Sequence, residues 1–71
     1  MDSELLGILK EALETRQRKE ELDRAVGRAV RRRNLEFKIY IQIMIEVREF
    51  ANAEGIDKDE AARMLVGEPD N

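Results

Sequence analysis

Residues 35–47, LEFKIYIQIMIEV, decide the fold of this chain of 71 residues. Every odd position in this stretch is apolar, and most even positions are polar or charged. Strict alternation of this kind, rich in β-branched and aromatic side chains, is typical of a β-strand. The run is long for one strand, however, and its apolar residues also line two faces of a helix. We therefore predict a short strand at about 35–39 and then a helix at about 41–54, with an all-helical reading of the run as the alternative.

A turn and a short helix follow this stretch. Gly55 suits the left-handed residue that ends a helix, and Asp57 suits the cap of the next one. Glu60 stands three residues after Asp57, which is the spacing of a capping box. These signals predict a last helix at 58–66, and residues 67–71 read as a polar tail.

The N-terminal residues read as one helix or two. Ser3 can cap a helix whose apolar residues recur at helical spacing as far as Leu13, and the same spacing resumes at Leu22. Residues 14–21, ETRQRKEE, contain no apolar side chain. The helix therefore either continues through them, exposed on every side, or breaks there.

A cluster of arginines marks the end of this N-terminal part. Arg31, Arg32 and Arg33 precede Asn34, and cations followed by Asn favour a helix end near residue 33. We interpret residues 1–71 as a single domain. It has an N-terminal helical part at 1–33, a core at 34–66 and the polar tail.

The composition excludes most catalytic and metal sites. The chain has no Cys and no His, so it lacks disulfides, thiolate and imidazole ligands, and the commonest general base near neutral pH. One Ser and one Thr are its only aliphatic hydroxyls. We therefore expect no enzyme activity, no cofactor, no metal and no small-molecule substrate.

Length and apolar content predict self-association. A chain this short rarely buries enough apolar surface to be stable without a disulfide, a metal or a partner. Ten apolar residues lie between positions 35 and 51, more than one amphipathic helix and a short C-terminal helix can cover. We expect an obligate homodimer. With neither a signal peptide nor an apolar run long enough to span a membrane, we expect it to be cytoplasmic and to have no membrane partner.

The charge distribution is uneven along the chain. Residues 16–38 carry nine cations and four acids, whereas residues 1–15 have a balance of −3 and residues 39–71 a balance of −5. A basic middle can be the footprint of a nucleic-acid site. It can equally be a solvated helix face whose charges pair locally or across a dimer.

Residues 34–65 resemble the ribbon-helix-helix family of small dimeric DNA-binding regulators. The resemblance lies in a five-residue alternating strand, about fifteen residues of helix, then Gly55, Ile56 and the capping Asp57. It implies a mainly α fold in which an N-terminal helix precedes the strand and a helix-Gly-helix unit follows it, in an intertwined dimer. The two strands of the dimer would pair as a ribbon in the DNA major groove. The dimer core implied is Leu35, Phe37, Ile39, Ile43, Val47 and Phe50.

The same resemblance implies a DNA-binding surface. Glu36 and Lys38 would face the bases, with Asn34 just before them, and the backbone amides at 57–59 would hold a phosphate. Arg31, Arg32 and Arg33 stand beside this ribbon, where phosphate contacts would supply much of the affinity for DNA.

A second stretch is similar to the end of the oligomerisation region of histone-like nucleoid-structuring proteins. It comprises Arg48-Glu49, then Ala53-Glu54-Gly55-Ile56-Asp57, and Glu60. This likeness implies an all-α chain in which residues 35–54 pack in a dimeric helical hairpin or coiled coil.

Two functions from different classes follow from these patterns. One is a small dimeric DNA-binding transcriptional regulator that reads DNA with a strand ribbon flanked by arginines. The other is a non-catalytic protein–protein interaction or oligomerisation module, assembling with itself or with a protein partner and binding no nucleic acid. What faces solvent at residues 34–38, and whether the arginines at 31–33 flank it, distinguishes the two.

Overall fold

The structure, a computed structural model, describes residues 1–67 and contains four α-helices in this range. Apart from Gly67, the predicted polar tail lies outside the described residues. The helices are α1 (Ser3–Thr15), α2 (Leu22–Arg32), α3 (Phe37–Glu54) and α4 (Lys58–Val66).

The predicted strand at 35–39 is wrong, and with it the ribbon. Leu35 and Glu36 form a short link without regular secondary structure, with Glu36 extended, and α3 runs as one helix from Phe37 to Glu54. A strand would need a second strand for its backbone hydrogen bonds, whereas a helix satisfies them within itself. The all-helical alternative fits. The run contains so many apolar residues that, folded as a helix, it still supplies a buried face, formed by Ile43, Met44 and Val47.

The helix ends follow the local signals closely. Gly55 adopts the left-handed conformation, with φ of 68°, and ends α3. The Asp57 side chain accepts a hydrogen bond from the backbone N–H of Glu60 at 2.8 Å, and α4 covers the predicted residues. At the N-terminus the predicted cap was one residue late. Asp2 rather than Ser3 caps α1, accepting from the N–H of Leu5 at 2.9 Å.

The N-terminal part is two helices. α1 ends at Thr15, and residues 16–21 form a loop before α2 begins at Leu22. The break falls where the sequence offers no apolar side chain for a core, so a continued helix there would have had nothing to pack against. Instead the loop lets α1 and α2 pack against each other, in the most extensive helix–helix contact among residues 1–67.

The core is built from all four helices. α3 packs on α2 and α4, and α4 also packs on α1. The buried side chains are all apolar in the described residues: Leu5, Ile8, Leu9 and Ala12 of α1; Leu22, Ala25, Val26, Ala29 and Val30 of α2; Ile43, Met44, Val47 and Ala51 of α3; and Ala61 and Ala62 of α4.

Ion pairs tie the helices together around this core. Asp23 of α2 accepts from Nη2 of Arg48 in α3 at 2.8 Å and from Nζ of Lys58 in α4 at 2.5 Å. Arg16, just after α1, donates from Nη2 to Asp59 of α4 at 3.1 Å. One carboxylate therefore joins three helices, and a second pair joins α1 to α4.

Candidate functional site

The outer face of α3 carries three large apolar side chains that the chain does not cover. What we call the outer face of α3 consists of Phe37, Ile41 and Ile45, whose side chains are 70%, 40% and 49% exposed. Exposed apolar side chains are common singly, whereas a contiguous group on one helix face is a candidate binding surface.

The spacing of these residues places them on one side of the helix. They lie at i, i+4 and i+8, so a helix stacks them along two turns. The inner face of α3, formed by Ile43, Met44, Val47 and Ala51, packs into the core. Because the apolar residues of 35–47 alternate, folding them as a helix necessarily puts some of them on the side away from the core.

Tyr40 connects the outer face of α3 to α2. Its ring stacks on Phe37, with ring centroids 5.3 Å apart and 27° between the ring planes. The Tyr40 ring also lies near Gly27 of α2, where an added Cβ would be 3.8 Å from Cδ1 of Tyr40 and 3.5 Å from Nη1 of Arg31. The apolar surface of α3 is therefore continuous with the basic surface of α2.

The predicted phosphate-binding arginines do not act as one cluster. Arg33 is engaged within the chain, since its Nη2 lies 2.9 Å from Oε1 of Glu11 in α1. Its Nη2 also donates to the backbone carbonyl of Gly7 at 3.4 Å. Arg31 and Arg32 are exposed and have no ion-pair partner among residues 1–67. Two of the three arginines thus remain available to a partner.

The predicted base-facing residues lie in the turn between α2 and α3. Asn34 adopts the left-handed conformation, with φ of 58°, as a residue after a helix end often does. Glu36 is the residue before α3 and makes no side-chain cap. Oε1 of Glu36 lies 3.6 Å from Nζ of Lys38, and both side chains are largely exposed. The two side chains therefore form an exposed ion pair at the start of α3 and do not project from a strand.

The predicted dimer-core residues divide between the chain's own core and its surface. Ile43 and Val47 are fully buried within a single chain, so they need no partner. Leu35, Ile39 and Phe50 are half-buried against the core, and Phe37 is the most exposed large apolar residue of the described part. Sequence reasoning missed Ile41 and Ile45 as candidate interface residues. The signal was present in their spacing of four from Phe37 and from each other.

The two ends of α3 carry opposite unpaired charges. Arg31 and Arg32, in the last turn of α2 and six and five residues before α3 begins, form what we call the basic end. Glu49 and Glu54 in the second half of the helix are exposed and have no ion-pair partner among residues 1–67, and we call them the acidic end. The helix thus presents an apolar stripe with a basic group beyond one end and unpaired acids toward the other, where the cation Arg48 is already bound to Asp23.

The loop between α1 and α2 is held by a charged hydrogen-bond cluster. Glu20 accepts from both terminal nitrogens of Arg28, and Arg28 Nη2 also donates to the carbonyl of Thr15 at 3.0 Å. The hydrogen bond from Arg28, helped by the Gln17 backbone N–H, lowers the pKa of Glu20 from its ordinary 4.5 to about 2.

Asp23 is held in its charged form by its neighbours on α3 and α4. Burial by itself raises the pKa of Asp23, but the hydrogen bond from Lys58 and the charges of Lys58 and Arg48 outweigh it and lower the pKa below 3.8. The same bond raises the pKa of Lys58 above its ordinary 10.5. The pair therefore stays ionised across the physiological range of pH.

A cavity of about 240 Å³ lies beside this loop, near the start of α4. Its charged walls are largely occupied, because Arg16 binds Asp59, Lys58 binds Asp23 and Glu20 binds Arg28. Among residues 1–67 no three acidic side chains are gathered in a way that would hold a metal ion. Within the same residues no helix combines the length and apolarity that crossing a bilayer requires.

Comparison with protein-family models, with curated proteins and with solved structures found no match to this chain. The resemblances to ribbon-helix-helix and nucleoid-structuring proteins therefore remain predictions from residue patterns. The outer face of α3 and the charges at its ends are the features from which a function can be argued.

Proposed function

We propose that this chain is a non-catalytic protein-interaction module that associates with further copies of itself through the outer face of α3. The observation that carries the proposal is the exposure of Phe37, Ile41 and Ile45 on one helical stripe. Removing such side chains from water is the main favourable term in protein association.

The position of the stripe supports this use. α3 is the longest helix of the described part, and its inner face already serves the fold. The three side chains of the outer face lie outside the buried core and keep 40–70% of their surface exposed, so a partner would remove further apolar area from water. A surface of this composition, rimmed by Lys38, Arg48 and Glu49, has the anatomy of an interface with an apolar centre and a polar rim.

DNA binding is the second function that the sequence suggested, and here it stays a prediction. The ribbon that was to read DNA is absent from residues 1–67, and Arg33 is bound to Glu11. The remaining exposed pair, Arg31 and Arg32, is a small part of a chain whose net charge is −3. Self-association is therefore the function that we put first.

Sedimentation equilibrium tests the proposal. The full chain should sediment at a multiple of its 8.3 kDa mass at micromolar concentration. Ile45→Ser should weaken association by about tenfold or more, since burying an Ile side chain is worth about 1.5–3 kcal/mol. Met64→Ser is the matched control, because Met64 is 46% exposed and Ile45 49%, but Met64 lies on α4.

Two outcomes would contradict the proposal. One is a stable monomer of the unaltered chain at these concentrations. The other is an oligomer that tolerates Ile45→Ser but dissociates on Met64→Ser, which would place the interface elsewhere. Circular dichroism of both variants should show unchanged helix content, because neither side chain belongs to the core.

A further inference from the structure

We infer that the outer faces of two chains pack antiparallel, related by a two-fold axis that passes beside Ile41. This inference rests on the proposed function and adds the orientation and the specificity of the interface. Each Phe37 would then lie against Ile45 of the partner subunit, with the two copies of Ile41 in contact at the axis.

The symmetry of the stripe supports this arrangement. Phe37 and Ile45 each stand four residues from Ile41, which is about 6 Å along a helix. An isologous interface brings the same patch of both chains together. Antiparallel packing about Ile41 pairs the large Phe37 ring with the smaller Ile45 at both ends, whereas parallel packing would oppose two Phe37 rings at one end.

The charges beyond the stripe favour the same orientation. With the axis at Ile41, Glu49 of the partner subunit lies about 6 Å beyond the start of α3 at Phe37, on the side of the turn at 33–36 that joins α3 to Arg31 and Arg32 of α2. The acidic end of each chain thus meets the basic end of the other, twice in the dimer. Parallel packing would instead bring Arg31 and Arg32 of the two chains together and leave the acids opposed. Antiparallel helix dipoles act in the same direction.

The surface area that a stable dimer must bury also gives a role to the charged side chains at the two ends. The three side chains of the outer face expose on the order of 300 Å² per chain, the size of a monomer's largest apolar patch. A stable interface buries about 800 Å² per partner. The stems of the arginines and glutamates at the two ends are the surfaces that extend the contact beyond the stripe.

Disulfide cross-linking tests the orientation, and the chain has no cysteine of its own to interfere. Ile41→Cys alone should cross-link on oxidation, and an equimolar mixture of Phe37→Cys and Ile45→Cys chains should cross-link with each other. Phe37→Cys alone should not, because the two sulfurs would be separated by about 12 Å along the helices, beyond the reach of a disulfide. Efficient cross-linking of Phe37→Cys alone and of Ile45→Cys alone would establish parallel packing and overturn the inference.

A charge exchange tests the specificity. The double variant R31E/R32E and the single variant E49K should each self-associate about tenfold more weakly than the unaltered chain at low salt. Mixing the two variants should restore the affinity to within about threefold, because every end of the mixed dimer then carries opposite charges. All three substitutions replace exposed side chains, so circular dichroism should show them folded.

The outcomes separate this inference from the proposed function. A monomeric unaltered chain refutes self-association itself. Two outcomes refute only the antiparallel charge pairing. In one, the mixed variants fail to recover the affinity of the unaltered chain; in the other, R31E/R32E leaves the self-association affinity unchanged. If R31E/R32E instead abolishes a gel shift of double-stranded DNA while the oligomer persists, the two arginines belong to a nucleic-acid site and the inference fails.

Discussion

The two faces of α3 are built from the same kinds of residue and meet opposite environments. Ile43 on the inner face is fully buried, whereas Ile45 on the outer face, two residues later, is 49% exposed. Nothing in the side chains distinguishes the two positions. The difference comes from α2 and α4, which pack against one side of α3 and leave the other side free.

One apolar helix therefore carries two surfaces with different surroundings. The inner face stabilises the single chain, and the outer face is the surface that we propose for self-association. Substitutions on the two faces should therefore affect different measurements.

The largest effect is expected from matched truncations on the two faces. Ile43→Ala should lower the free energy of unfolding by about 2–4 kcal/mol, because it leaves a cavity in the core. Ile45→Ala should change the unfolding free energy of the monomer by less than about 1 kcal/mol and instead weaken self-association. Urea unfolding at a dilution where the monomer prevails, together with sedimentation, separates the two quantities. Equal loss of monomer stability in both variants would show that the outer face is buried in the single chain.

Smaller changes in stability are expected from replacing two glycines with alanine, and the two changes should have opposite signs. Gly55→Ala should cost about 1–2 kcal/mol, because Gly55 ends α3 in the left-handed conformation, although an added Cβ would meet nothing within 4 Å. Gly27→Ala should stabilise the chain by about 0.5–1 kcal/mol, because it lies inside α2 and its new Cβ would touch Tyr40 at ordinary contact distance. Thermal unfolding measures both. A loss of stability in Gly27→Ala would mean that Tyr40 cannot accommodate a methyl group beneath it.

The smallest effect is expected from acid, and it concerns ion pairs that lie on neither face. The pKa of Glu20 is about 2 in the folded chain and 4.5 ordinarily, so its pairing with Arg28 stabilises the fold above pH 4.5. That contribution should disappear as the pH falls from 4.5 toward 2, and Asp23, whose pKa is also lowered, should add to the loss.

Two variants isolate this effect of acid. Glu20→Gln should flatten the dependence of stability on pH in this range. Glu14→Gln, which alters an exposed acid with no ion pair among residues 1–67, should leave it unchanged. Urea unfolding of both variants at pH 6 and pH 3 measures the difference. If Glu20→Gln and the unaltered chain lose the same stability on acidification, Glu20 is not held by Arg28 in the folded chain.

Local signals in the sequence determined the end of α2 and the turn that joins α3 to α4. Gly55 and Asp57 predicted the turn between α3 and α4 and the bounds of α4, because a left-handed cap and an N-cap act through backbone groups within four residues. The same local logic identified the break at residues 14–21 as one of two outcomes. Composition likewise determined which ligands and nucleophiles the chain lacks.

Tertiary structure alone decided the conformation of residues 35–47 and the environment of each apolar side chain in them. An alternating apolar run satisfies both the period of a strand and, in part, that of a helix, so its choice depends on the surfaces available to cover it. Those surfaces come from α2 and α4, and the ion pairs that hold them in place join residues far apart, such as Asp23 with Lys58 and Arg33 with Glu11. Ion pairs between residues so far apart in the sequence produce no periodic pattern in it. Which residues meet depends on how whole helices pack, and not on the neighbours of each residue along the chain.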